Sequence, residues 1–283
     1  MFISERCEPL FSFASPLESV RAGPANDFVL RPFGLYESDL NVDFNQARPF
    51  LVTEILDCCT RDTNRNRIDQ DFFWSLTVGK RIECLLNLLS AKTEEQIPFT
   101  FVCPDNECGQ ELEIEISVRE ISEVQAEAYT TELLPVQLEN GSLTLRRPTG
   151  SDQVGWLKNS FRSQDAATRA MLGSVVVAHR GQAALAGEAI SGLLPVIEQA
   201  LDEFDPLVNF SQRVSCFSCG AEHLLAMDLE EFSLGRLRQA QIRLLSSVHK
   251  LAAHYHWTEP EIFSVPYWRR SRYLNLIDKV NDQ

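Results

Sequence analysis

A chain of 283 residues is long enough for one large domain or two ordinary ones, with ample material for a hydrophobic core. Its 44% hydrophobic and 23% charged residues are those of a folded globular protein. A net charge of −14 disfavours general binding to a phosphate backbone. No apolar run approaches the roughly 18 residues of a membrane span, and the N-terminus lacks the basic start and apolar core of a secretory leader. The sequence therefore predicts a protein made in the cytoplasm and kept there, or inside something assembled there.

Residues 1–27, with Pro9, Pro16, Gly23 and Pro24 among scattered aromatics, predict an irregular arm that docks instead of folding alone. Phe28 to Leu30 reads as a short strand. Apolar residues at helical spacing predict helices over 50–60 and 70–90. Strict alternation then predicts a β-hairpin over 99–118, with Leu112, Ile114, Ile116 and Val118 on one face and glutamates on the other. A second hairpin is expected over 133–146, because Asn140-Gly141 supplies the positive φ that a tight two-residue turn requires. Ser151 or Asp152 is expected to cap a helix reaching toward Phe161. Two further helices are expected over 165–178 and 187–204, and another hairpin over 212–227.

Eight cysteines in a chain with no secretory leader are not read as a disulfide framework. Cys7 and Cys84 are isolated. Cys58 and Cys59 are adjacent on a helix face and read as small core residues. The other four form two close pairs, each followed by glycine: Cys103-Pro-Asp-Asn-Glu-Cys108-Gly109 and Cys216-Phe-Ser-Cys219-Gly220. A short spacer lets one turn present two thiolates, and the glycine lets the backbone curl beneath them. Two such knuckles supply the closed tetrahedral set of a structural zinc site. Cys103, Cys108, Cys216 and Cys219 are thus the expected ligands of one zinc per chain. The gap between the knuckles is far longer than in a compact zinc ribbon, but loop closure grows only logarithmically with length. Unmetallated buried thiols and a redox Cys-x-x-Cys are the alternatives. The redox reading is disfavoured because no helix starts at the second pair to lower a thiol pKa. His223 offers a substitute ligand but sits in a predicted strand. Four thiolates leave no open position for catalysis, and no nucleophile elbow, phosphate loop or paired-carboxylate spacing accompanies them. The expectation is a protein without enzymatic activity.

The C-terminal residues differ in character. Leu237, Ala240, Leu244, Val248, Leu251 and Tyr255 form one apolar stripe on a predicted helix of about twenty residues. Thr258-Glu259-Pro260-Glu261 fits a capping box, flanked by Trp257 and Ile262 as a hydrophobic staple. A third helix is expected from Pro266. Residues 236–283 carry eight Lys or Arg against four Asp or Glu, a local charge of +4 on an otherwise acidic chain. Trp268, Arg269, Arg270 and Arg272 are the candidate partner-binding surface, since aromatic and arginine side chains tend to anchor interfaces. The sequence thus divides into an arm (1–27), an α+β body with a zinc ribbon (28–235) and a basic helical module (236–283). Within the body, residues 119–211 form an insertion between the knuckles.

Three features in this order resemble the baseplate hub-assembly protein family of T-even-type contractile phages and phage-tail-like contractile injection systems. They are Phe101-Val102-Cys103-Pro104…Cys108-Gly109 with its acidic strand, Asp205-Pro206…Cys216-x-x-Cys219-Gly220, and the tail from Val248-His249-Lys250-Leu251-Ala252 to Arg269-Arg270-x-Arg272-Tyr273-Leu274. The resemblance runs from about residue 28 and is most specific in the last forty residues. It implies a non-enzymatic role in building a contractile tail, in the bacterial cytoplasm during assembly. Its partners would be other baseplate, spike, tube or sheath proteins. A zinc-ribbon adaptor for nucleic acid or transcription machinery is the competing expectation, opposed by the acidic body. A metal-dependent hydrolase lacks every catalytic element but the metal.

Overall fold

The computed structural model describes residues 11–12, 28–62, 64–89, 96–105, 107–139, 141–179, 182–183 and 191–281. The chain is α+β, and among the described residues helices predominate over four small antiparallel sheets. Of the predicted arm, the described residues are β1 (Phe11–Ser12), which pairs antiparallel with β2 (Phe28–Leu30). On its other side β2 pairs with β3 (Thr60–Asp62). The remainder of the arm, including Cys7, lies outside the described residues.

The main core gathers α1 (Arg48–Cys59), α2 (Gln70–Ser75), α3 (Val78–Leu89) and the first turns of α8 (Leu229–Tyr255). Val52, Ile55, Leu56, Phe73, Leu85, Leu234 and Leu237 meet there with almost no exposure. The helix expected over 70–90 is two helices. Thr77 leaves the helical path to bridge Thr149, Gly150 N–H donates to the Leu76 carbonyl and Val78 N–H to the Pro148 carbonyl. The break seats the 148–150 segment, and Gly150 lets that backbone lie against the Arg81 guanidinium, which a Cβ would approach to 2.5 Å. Arg81 itself is fully buried, bonded to Thr53 Oγ1 and to the carbonyls of Phe73 and Pro49.

Two hairpins, β4 (Gln96–Val102) with β5 (Glu111–Ser117) and β10 (Ser211–Ser215) with β11 (Glu222–Ala226), bracket the insertion. The predicted alternation holds through Ile116, but Val118 opens a helix that the strand pattern conceals. This is α4 (Val118–Ala128), capped by the Ser117 hydroxyl on Glu120 N–H and burying Ile121 and Gln125 one turn apart. The 133–146 hairpin forms from β6 (Leu133–Leu138) and β7 (Gly141–Arg146), but Gly141, at φ 140°, pairs with Leu138 as the first residue of β7 and is not a central turn residue, while Asn140 lies outside the described residues. Thr149, not Ser151 or Asp152, caps α5 (Gly150–Lys158), and Asp152 completes the capping box from inside the helix. The helix expected over 165–178 ends early. After α6 (Gln164–Ser174) the β-branched residues continue as β8 (Val176–His179), paired to β7 and then to β9 (Gln182–Ala183). The last insertion helix, α7 (Leu194–Phe204), packs Ile197 against Leu143, Leu145 and Val176.

Insertion and body are joined at a buried polar strut. Asp205 is 2% exposed and accepts from Gln125 Nε2 of α4 at 3.1 Å and from Gly79 N–H of α3 at 3.3 Å. Burial of the carboxyl pushes its pKa up to about 6. A Cβ on Gly79 would lie 1.9 Å from Asp205 Oδ1. Nearby, Arg147 stacks on Phe204 and Tyr129 and donates to the carbonyls of Phe204, Thr131 and Ala128.

The boundary expected between residues 235 and 236 falls inside α8, a single 27-residue helix. Its first turns belong to the main core. Leu244, Val248 and Leu251 belong to a second cluster with Ile262 of α9 (Glu259–Ser264) and Ile277 of α10 (Tyr267–Asn281). The charge pattern changes at 236 while the backbone does not, so body and C-terminal unit share a rigid element. Thr258 and Glu261 form the expected capping box. No helix among the described residues is long and apolar enough to cross a membrane.

Candidate metal centre

The two knuckles sit at the hairpin tips. In the first, Cys108 and Gly109 N–H both donate to the Asp105 carbonyl, and Gly109 adopts φ 56°. In the second, Gly220 N–H donates to the Cys216 carbonyl at φ 75°. No atom crowds a Cβ at either glycine, so the requirement is conformational: a positive φ that L-residues adopt at a cost. Each tip closes on a matching backbone bond, Cys103 N–H to Gln110 and Cys216 N–H to Ala221.

The structure brings together all four predicted ligands, although more than one hundred residues separate the pairs. The sulfurs of Cys103, Cys108, Cys216 and Cys219 all lie within 4.8 Å of one another. Cys103 to Cys219 is 3.8 Å and Cys108 to Cys216 is 3.7 Å. Four bonds of about 2.3 Å at tetrahedral angles require sulfur–sulfur edges of about 3.8 Å. These separations are far beyond the roughly 2.05 Å of a disulfide, and all four cysteines are free. Both of these contacts run between knuckles, so an ion here would tie the hairpins to each other.

The thiols are not equally ready to ionise. Backbone amides of Cys219 and Ser218 point at the Cys216 sulfur and lower its pKa to about 7 against the opposing effect of burial. Burial pushes the Cys103 thiol up to about 12, partly offset by the Asp105 amide. Four thiolates at this spacing repel one another, so full ionisation calls for a positive charge among them. His223, considered as a substitute ligand, places Nε2 3.4 Å from Cys103 Sγ. It stands outside the four-sulfur set, where its ring N–H can donate to that sulfur and orient it.

A second group was not foreseen as a site. Cys58, Cys59 and Asp39 lie within ligand distance of one another. Cys59 is buried as expected, and Cys58 is half-buried against the edge of the core. The Arg31 guanidinium occupies this place, 2.6 Å from Asp39 Oδ1 and 3.1 Å from Cys58 Sγ. Asp39 Oδ2 accepts from the N–H groups of Gly34, Leu35 and Tyr36. A fixed cation already satisfies the carboxylate, and this cluster shapes the 31–41 loop. The Cys59 thiol, with Arg31 beside it, brings the Cys58 pKa down to about 7.

The four candidate partner residues separate. Trp268, Arg269 and Arg272 are exposed on α10, with both guanidinium groups within 6.0 Å of the Trp268 ring centroid. Arg270 is not part of that surface. It is 8% exposed, donates to the Leu35 carbonyl at 2.7 Å and lies over Phe263. Its position between two exposed arginines points it back toward α8, and it locks α10 to the body. Trp257, expected to act in local folding, stacks on Tyr255 and meets Tyr273 edge-on.

Comparisons with protein-family models, with curated proteins and with solved structures give no match to this chain.

Proposed function

We propose that this protein is a non-enzymatic assembly or structural component of a contractile tail or a related injection particle, built around one structural zinc. The observation that carries the zinc is the convergence of four thiol sulfurs at tetrahedral spacing from two glycine-ended knuckles. Thiolate sulfur in a closed four-ligand set selects zinc among the common divalent metals, and a closed set has no position for substrate. In this reading the paired hairpins form a zinc ribbon that clamps both ends of the insertion. The tail context rests on the C-terminal sequence pattern and its order after the knuckles. Trp268, Arg269 and Arg272 supply the docking surface, and Arg270 supports it from below.

Deletion of the gene in its host tests the assembly role. Sheath and tube proteins should still be made, with few or no particles bearing baseplates under the electron microscope. Normal, contractile particles from a clean deletion would overturn it.

A further inference from the structure

The two ends of α8 carry opposite surfaces. At its N-terminal end, Phe232 stacks on Phe99 of β4 at 3.9 Å and Arg236 donates to the Pro98 carbonyl, fixing the first knuckle hairpin there. The outward face of that hairpin presents Glu111, Glu113 and Glu115, all exposed, beside Val102, which is 62% exposed and pairs with Glu111 across the ladder. Among the described residues none of these three glutamates has an ion-pair partner. From Asp105 to Glu127 the sequence holds eight acidic side chains and one basic, Arg119. Four thiolates around a divalent ion would add two further negative charges.

At the other end, Trp268, Arg272 and Leu276 recur at four-residue steps on α10 and form one exposed line, with Arg269 alongside. Trp268 is 57% and Leu276 55% exposed. Among the described residues, neither Arg269 nor Arg272 has a carboxylate partner. The face is basic with apolar anchors, and the hairpin face is acidic with an apolar neighbour. Among the described residues α10 packs chiefly on α8, and the two faces lie on different elements of the chain.

We propose that the α10 face of one copy docks on the acidic knuckle hairpin of a second copy, head to tail. This names the partner of the basic face and rests on the reading of that face as a docking surface. Because the two patches differ, the contact is heterologous. Repeated, it closes into a ring or continues as a filament. Charge sets the pairing and the rate of encounter, and Trp268 and Leu276 supply the desolvated centre.

Sedimentation velocity on the zinc-loaded full chain tests this. The wild type should associate as concentration rises and dissociate as salt is raised to about 1 M, where the screening length falls to about 3 Å. R269E/R272E alone should be monomeric, and so should E111K/E113K/E115K alone. An equimolar mixture of the two should associate again, because each supplies the intact or reversed face that the other needs. Zinc content and circular dichroism melting establish that each variant is folded. A wild type monomeric throughout, or a mixture that stays monomeric, would overturn the proposal. If the wild type is monomeric but R269E/R272E still blocks particle assembly, the second copy is wrong and the assembly role stands. Salt-sensitive association together with normal particles from the gene deletion would reverse that outcome.

Discussion

The two ends of α8 hold themselves together by different means. At the knuckle end the buried cluster consists of Cys103, Leu112 and Cys216, so two of its three members are thiols. At the C-terminal end Leu244, Val248, Leu251, Ile262 and Ile277 pack as an aliphatic core beneath Tyr255, Trp257 and Tyr273. Hairpins of two strands are marginal alone in water. The bases of the hairpins are packed, with Phe99 and Ile116 buried against Ile82, Leu86 and Leu229, but the buried cluster at the tips holds only Leu112 besides the thiols, and there a metal cross-link supplies what the core does not. The C-terminal helices need no such tie. The comparison predicts a protein whose stability is metal-dependent at one end and metal-independent at the other.

The largest expected effect tests that split. Removing the metal with a chelator, or removing one ligand with Cys216→Ser, should expose the hairpin tips, residues 101–112 and 214–224, to hydrogen exchange, since structural sites of this kind contribute on the order of 10 kcal/mol. Residues 244–264 should keep their protection. Equal loss at both ends would mean that the metal organises the whole chain, and loss at neither would mean that the thiols do not hold a metal.

Gly79→Ala should come next, at about 3 kcal/mol in chemical denaturation, because its Cβ would collide with the buried Asp205 and Gln125 side chains. A Gly235→Ala control, with open space around the same atom, should not destabilise. The pair measures how far the insertion depends on its strut as well as on its metal-tied ends.

Asp205 adds a pH dependence. Its carboxyl pKa rises from 3.8 in the unfolded chain to about 6 in the fold. The folded state therefore binds the proton more tightly, and stability from this group is greatest below about pH 4 and falls as pH rises through 6. Asp205→Asn does not titrate. Between pH 4.5 and 7.5 the variant should gain about 2 kcal/mol relative to wild type in paired thermal melts. Since the difference is taken at each pH, effects common to both proteins, including loss of metal in acid, cancel. A difference that stays flat would show that the carboxyl is not held at a raised pKa.

The smallest contrast lies within α10. Arg270→Ala should cost about 1.5 kcal/mol, the worth of a charged hydrogen bond. Arg269→Ala and Arg272→Ala should each stay within about 0.5 kcal/mol. Similar losses at all three would erase the distinction between the internal arginine and its exposed neighbours.

What the sequence reveals follows how local the cause is. The cysteine spacers, the glycine after each pair, the 133–146 hairpin and the Thr258–Glu261 box are settled by neighbours within a few residues, and each forms as expected. Arg270 is indistinguishable in sequence from Arg269 and Arg272, because only the register of α10 against α8 and the 31–41 loop decides which arginine turns inward. The strut escaped because Gly79 and Asp205 are 126 residues apart and neither belongs to a motif. The α4 helix was hidden by alternation that continues to Ile116, with its start marked only by the Ser117 cap. The placement of Arg31 between Asp39 and Cys58 likewise depends on three separate elements meeting.

The metal content of purified protein tests the central claim most directly. Protein prepared under reducing conditions without chelator should contain about one zinc per chain by elemental analysis, and the Cys103→Ser and Cys216→Ser variants should contain far less. The Cys58→Ser variant should be unchanged, since Arg31 occupies that second cluster. Zinc-free wild-type protein, or zinc that survives loss of Cys103 and Cys216 but follows Cys58, would contradict the account.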